Sequence, residues 1–359
     1  MHRSRWAAAL ALVVLATVAQ PPALAARTCD AKAVTITGTS GDDNIVGTNG
    51  RDVIAGRGGA DVIRAKSGDD SVCGQGGGDH VLAAKGSDRV FGGRGSDDID
   101  GDGGTDYLSG GTELDVLRGG GENDVIRGNE GPDFLEGAAG ADLLNGGEGS
   151  DRATFEDAER PMNVNLDTGE AFGQGADTLV SIEQAQTGSY DDVIMGSDVR
   201  NVLIGGAGED VIRAGRGWDA LHGGTEDDKL VGGPGGDIIQ ANLGDDLMMG
   251  GTGPDHFAGF FGNDTVSWEN SKTPVDLDRL DRNNAIGEGT DTFTEVERWV
   301  GSSFGDRLIG DETPETFEAL GGDDHIEGGI NQDAISGGDG FDECYDSDAS
   351  FEECEDTTP

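Results

Sequence analysis

The sequence predicts an all-β fold built as an array of nine-residue units, and three periodic features predict it. From Gly38 the chain can be cut every nine residues without a gap (GTSGDDNIV, GTNGRDVIA, GRGGADVIR and onward), and the sixth place is Asp in all thirteen units. The eighth place is apolar: Ile45, Ile54, Ile63, Val72, Val81, Val90, Ile99, Leu108, Leu117, Ile126, Leu135 and Leu144. Glycine recurs at places one, two and four, where a tight turn needs permissive torsions. Places seven to nine then read as a short strand with one inward side chain.

Composition sharpens the problem. The 359 residues include 65 Gly and 5% aromatics, and 71 acidic residues face 24 basic ones for a net charge of -47. Low hydrophobicity with such a charge is the signature of disorder unless something outside the chain supplies stabilisation. The charge argues against nucleic acid and anionic membranes as direct partners and favours cations.

The N-terminus reads as a secretory signal peptide over residues 1–25. Arg3 and Arg5 precede an apolar run from Trp6 to Ala19, and Ala23-Leu24-Ala25 supplies the small-x-small cleavage pattern. The run is too short for a comfortable membrane span. Arg27-Thr28 before Cys29 lack the small residues of a lipoprotein signal. Loss of Arg3 and Arg5 moves the charge from -47 to -49.

The repeats fall into three blocks. Residues 38–154 follow an N-terminal cap at 26–37, residues 187–267 add nine units, and residues 301–345 add five before a tail at 346–359. Over these 27 units the sixth place fails to be Asp only at Asn201 and Glu315. Two inserts, 155–186 and 268–300, separate the blocks and resemble each other: GQGADTLVSIEQ from Gly173 matches GEGTDTFTEVER from Gly287. They read as strand-rich longer coils or small flaps, with Trp268 and Trp299 packing over an exposed edge in preference to forming a ligand-binding face.

The unit G-G-x-G-x-D-x-U-x, with U apolar, resembles the RTX (repeats-in-toxin) hemolysin-type calcium-binding repeat. The resemblance implies a calcium-stabilised parallel β-roll: each nonapeptide makes a turn and a strand, two units complete a coil, and calcium sits between neighbouring turns. The expected metal ligands are the sixth-place carboxylates. In the first block these are Asp43, Asp52, Asp61, Asp70, Asp79, Asp88, Asp97, Asp106, Asp115, Asp124, Asp133, Asp142 and Asp151. The second contributes Asp192, Asp210, Asp219, Asp228, Asp237, Asp246, Asp255 and Asp264, and the third Asp306, Asp324, Asp333 and Asp342.

Charge chemistry supports that reading independently. Carboxylates stacked at a coil spacing of about 4.8 Å repel by about 1 kcal/mol in water and by several at an effective dielectric near 20. Calcium accepts six to eight oxygen ligands in tolerant geometry, whereas magnesium wants a strict octahedron and zinc wants nitrogen and sulfur. If each ion bridges units i and i+2, about 21 ions carry about +42 against the -49 of the mature chain. Metal binding and folding are then one event.

Four cysteines suit an exported protein and allow three pairings. With about 13 coils stacked at about 4.8 Å the two ends lie some 60 Å apart, which selects Cys29–Cys73 and Cys344–Cys354 as staples for terminal caps.

No catalytic motif survives its context. GSSFG at 301–305 matches a serine-hydrolase elbow around Ser303 but occupies places one to five of a unit. DIDGDG at 98–103 starts like an EF-hand loop, yet Ser109 stands at its twelfth place. His80, His222, His256 and His325 are scattered without an HExxH. The expectation is a secreted, extracellular, non-enzymatic calcium-binding protein with a structural or binding role. The alternatives are an adhesin or matrix protein whose inserts bind a cell-envelope glycan or protein and, ranked lower, a toxin or enzyme-associated module.

Overall fold

The computed structural model describes residues 28–280, 284–346, 350–352, 354 and 356–357. The expected signal peptide and half of the expected tail lie outside them. Every regular element among the described residues is a β-strand.

Alternate units feed two stacked sheets, so each strand pairs in parallel with the strand 18 residues on. In one sheet Ile63 aligns with Val81, and in the other Val72 aligns with Val90. Eighth-place side chains from Ile54 to Leu144 point inward and are fully buried, as are Leu203, Ile212, Leu221, Leu230 and Ile239. Interior strands such as Val62–Ser67 and Arg89–Arg94 continue three residues into the next unit. The first place therefore also faces the core, and only Gly or Ala fills it there: Ala65 and Ala83 are fully buried. One large side chain per nine residues leaves the core a single apolar ladder from each sheet.

The inserts are longer coils built into the sheets and not flaps on the roll. In the first, strands Asn163–Asn165, Glu170–Phe172 and Ala176–Val180 form an antiparallel meander between Leu143–Glu148 and Val193–Met195. Across the core, Arg152–Thr154 pairs directly with Gln184–Gln186. The second insert repeats this in the opposite sheet: Asp276–Asp278, Asn284–Ile286 and Thr290–Thr294 lie between His256–Phe261 and Arg307–Ile309. Each insert thus puts three strands where a regular coil puts one.

Trp268 and Trp299 are core residues and not an edge cover. Trp299 is fully buried and meets Phe293 edge-on at 4.9 Å, and Trp268 stacks on Trp299 at 6.3 Å. Such contacts add about 0.5–1.5 kcal/mol each beyond area burial.

Both expected disulfides are present. Cys29 belongs to a small hairpin, Thr28–Cys29 with Lys32–Ala33. Lys32 Nζ donates to Ser71 Oγ at 2.6 Å, and Asp30 pairs with Arg89 at 2.8 Å. The hairpin therefore lies on the outer face of a sheet, where Val53, Ala55 and Ser71 are buried. Cys344, by contrast, occupies an inward eighth place aligned with Ile326, and Cys354 packs against the core. That bond closes the roll from inside.

Candidate metal centre

The sixth-place carboxylates stack along both edges of the roll. Each Asp N–H donates to Oδ1 of the Asp one coil later: Asp52 to Asp70 at 2.7 Å, Asp97 to Asp115 at 2.8 Å, Asp210 to Asp228 at 2.8 Å and Asp306 to Asp324 at 2.7 Å. The Asp carbonyl accepts the N–H of the strand that starts the next coil, as Asp97 does from Val116 at 2.8 Å. From Asp61 onward these aspartates are at most 3% exposed.

The second oxygen separates two kinds of turn. In twenty described ladder aspartates, Asp61 to Asp151, Asp210 to Asp264, Asp324 and Asp333, Oδ2 is buried and accepts no hydrogen bond. The first two units of each block differ. Asp43 and Asp52 turn Oδ2 onto the Thr39 and Thr48 N–H groups at 2.5 and 2.6 Å, Asp192 takes Gly188, and Asp306 takes Ser302 at 2.6 Å. The two sixth-place exceptions behave alike: Asn201 Oδ1 accepts from Ser197 at 2.7 Å, and Glu315 Oε2 from Asp311 at 2.8 Å.

Backbone conformation follows the same division. Interior turns hold the second place at positive φ whatever its side chain, as at Arg57 (φ 89°), Lys66 (86°) and Gln75 (82°). The fourth place does so at Gly77 (116°) and Gly95 (106°), and a Cβ on Gly95 would collide with the Gly77 carbonyl oxygen one coil earlier. First-place glycines answer a different need: at Gly56 a Cβ would strike Asp61 Oδ2. Neither Thr39, Gly41, Thr48 nor Gly50 has positive φ. Interior turns thus combine a left-handed backbone with one bare, buried carboxylate oxygen.

Burial pushes the interior carboxyls upward, partly offset by the donated N–H of the preceding Asp, and the neighbouring ladder charges push further in the same direction. Asp79 reaches about 6, Asp97 and Asp115 about 7, and Asp228 and Asp255 about 8. A carboxylate column in this condition calls for a cation.

The ladder has members that the nine-residue count did not include. Asp142 donates to Asp177 Oδ1 and Asp255 to Asp291 Oδ1, each at 3.0 Å. Asp151 and Asp264 donate to Glu183 and Glu297 at 3.0 Å. The available signal was the G-x-G-x-D core of GQGAD and GEGTD, out of phase with the blocks. The motif residues set aside have structural places: Ser302, beside Ser303, binds Asp306, and His80 faces Asp98 at 3.2 Å on the outer sheet surface.

The donor set fits calcium. The donors an interior turn offers are oxygens: the bare Asp Oδ2 and turn carbonyls, as where a Cβ on Gly56 would meet both Asp61 Oδ2 and the Gly74 carbonyl oxygen. That all-oxygen, partly neutral shell suits a large hard cation. Fold and donors together define a calcium-binding parallel β-roll. The profile of the RTX calcium-binding nonapeptide repeat matches residues 37–72, 74–108, 82–117, 118–153, 186–221, 214–248, 222–257, 240–267 and 309–344. The chain belongs to this family and is a calcium-binding repeat protein. No curated protein matches it.

Proposed function

We propose that the protein is exported by cleavage of residues 1–25, folds on meeting calcium outside the cell, and acts there as a calcium-ordered structural or binding element without catalysis. The buried Oδ2 of twenty ladder aspartates carries the reading. These are the metal ligands, each ion lying between an interior turn and its neighbour one coil away, which makes about 20 ions. Asp43, Asp52, Asp192 and Asp306 start the columns with Oδ2 held by a backbone N–H of their own turn, and Asp342 ends one by accepting the Asp324 N–H at 3.0 Å. The two disulfides support an oxidising compartment.

Equilibrium dialysis of residues 26–359 against calcium tests the assignment. The expected result is about 20 ions, unchanged by Asp43→Asn and reduced by Asp97→Asn. A handful of ions, or equal losses from both variants, would refute it.

A further inference from the structure

The sixth place departs from Asp twice, and both departures fall at the second unit after an insert. Asn201 lies in unit 196–204 behind insert one, and Glu315 in unit 310–318 behind insert two. The insert strands that precede these units correspond: Val164 aligns with Ile194 and Leu277 with Leu308. Just beyond them, Leu166 N–H donates to the Met195 carbonyl and Arg279 N–H to the Ile309 carbonyl, at 2.8 and 2.9 Å. Leu166 and Arg279 therefore hold equivalent places.

The partners change together. Behind insert one, apolar Leu166 accompanies the neutral amide of Asn201, whose Nδ2 donates to the Glu183 carbonyl at 3.0 Å. Behind insert two, Arg279 accompanies the acid Glu315. Arg279 Nε lies 3.3 Å from Glu315 Oε1, and its Nη2 lies 3.0 Å from Asp311 Oδ2. The guanidinium also covers the Trp299 ring at 5.0 Å, and Trp299 Nε1 donates to the same Glu315 oxygen at 2.9 Å. The Glu315 side chain is 0% exposed and that of Arg279 10%. A buried carboxylate in the column thus meets a side-chain cation delivered by the insert.

We infer that the Arg279 guanidinium is the resident cation of the Glu315 turn, so that this step of the column holds no calcium and insert two is joined to block three by a built-in charge pair. The inference rests on calcium occupying the interior turns. Leu166 with Asn201 solves the same problem by removing the charge. A planar guanidinium suits the place because it binds two carboxylates and stacks on an indole at once. Breaking one side of such a buried pair leaves an uncompensated charge.

The test compares thermal midpoints of the mature protein and its R279A, E315N and R279L/E315N variants across calcium concentrations. At calcium just sufficient to fold the protein R279A loses about 5 °C or more, and its deficit narrows as calcium is raised further and an ion takes the vacated place. The E315N deficit is indifferent to calcium, and the double variant, which copies the Leu166–Asn201 pair, recovers most of the loss. An R279A midpoint within a degree of wild type, a deficit constant at all calcium concentrations, or a double variant no better than R279A would overturn the inference. A wild-type midpoint indifferent to calcium would instead overturn the calcium reading beneath it.

Discussion

The turns at 38–55 and those at 92–109 carry the same Asp at the same place and use it differently. In the opening pair, Thr39 and Thr48 N–H groups bind the second carboxylate oxygen and no residue of the turn has positive φ. In the interior pair, Gly93, Gly95, Asp102 and Gly104 all have positive φ and the oxygen is left bare. An opening turn has no turn one coil before it in its block to share an ion with. The comparison teaches that the device is the gap between two turns, and that an isolated turn reverts to ordinary side-chain capping.

Substitution at the fourth place should separate the two kinds of turn most strongly. Gly95→Val places a β-branched residue at φ 106° against the Gly77 carbonyl and should destabilise the calcium form by about 3 kcal/mol or more. Gly41→Ala, with no atom within 4 Å, should stay within about 0.5 kcal/mol. Thermal unfolding in saturating calcium reads both. Equal losses would erase the distinction.

Acid should act next most strongly, and in opposite directions with and without metal. Burial, ahead of neighbouring charge, raises Asp88, Asp97, Asp106 and Asp115 from 3.8 to about 7 in the roll. The folded state then binds protons that the unfolded chain has released. The stability they contribute is full below about pH 4 and is lost as pH rises through about 7. In excess chelator the β signal should therefore strengthen from pH 8 to pH 5. With limiting calcium, acid should weaken binding, because protons compete for the same oxygens. A flat pH response in chelator would mean that the interior carboxyls do not govern the apo state.

Smaller still is the contrast between Asp115→Asn and Asp52→Asn. The first removes an interior charge and should raise the calcium midpoint severalfold. The second turns an opening unit into a copy of Asn201, which already serves with a neutral amide, and should leave the midpoint within about twofold. Titration with a calcium-buffered series distinguishes them. A similar shift in both would show that opening turns bind metal too.

Much of this was legible because the period is imposed by the backbone. A coil of 18 residues repeats its pairing without slippage, so counting nines from Gly38 locates Ile63 opposite Val81 and Asp97 opposite Asp115. The inserts were less legible, since a meander such as 163–180 breaks the count and re-enters the ladder out of phase at Asp177. The division between turns was written in residues that resembled loose consensus. Thr39, Thr48, Ser197 and Ser302 stand at the second place only in the first two units of a block, and their meaning lies in a hydrogen bond that spacing does not reveal. Arg279 lies 36 residues from Glu315, and only the three-strand insert brings them together.

Far-UV circular dichroism of residues 26–359 during calcium titration, with magnesium as control, tests the central claim most directly. The account predicts a largely unfolded spectrum in chelator at pH 8 and a cooperative gain of β signal with calcium alone. A chain already folded in chelator at that pH, or one that responds equally to magnesium, would contradict it.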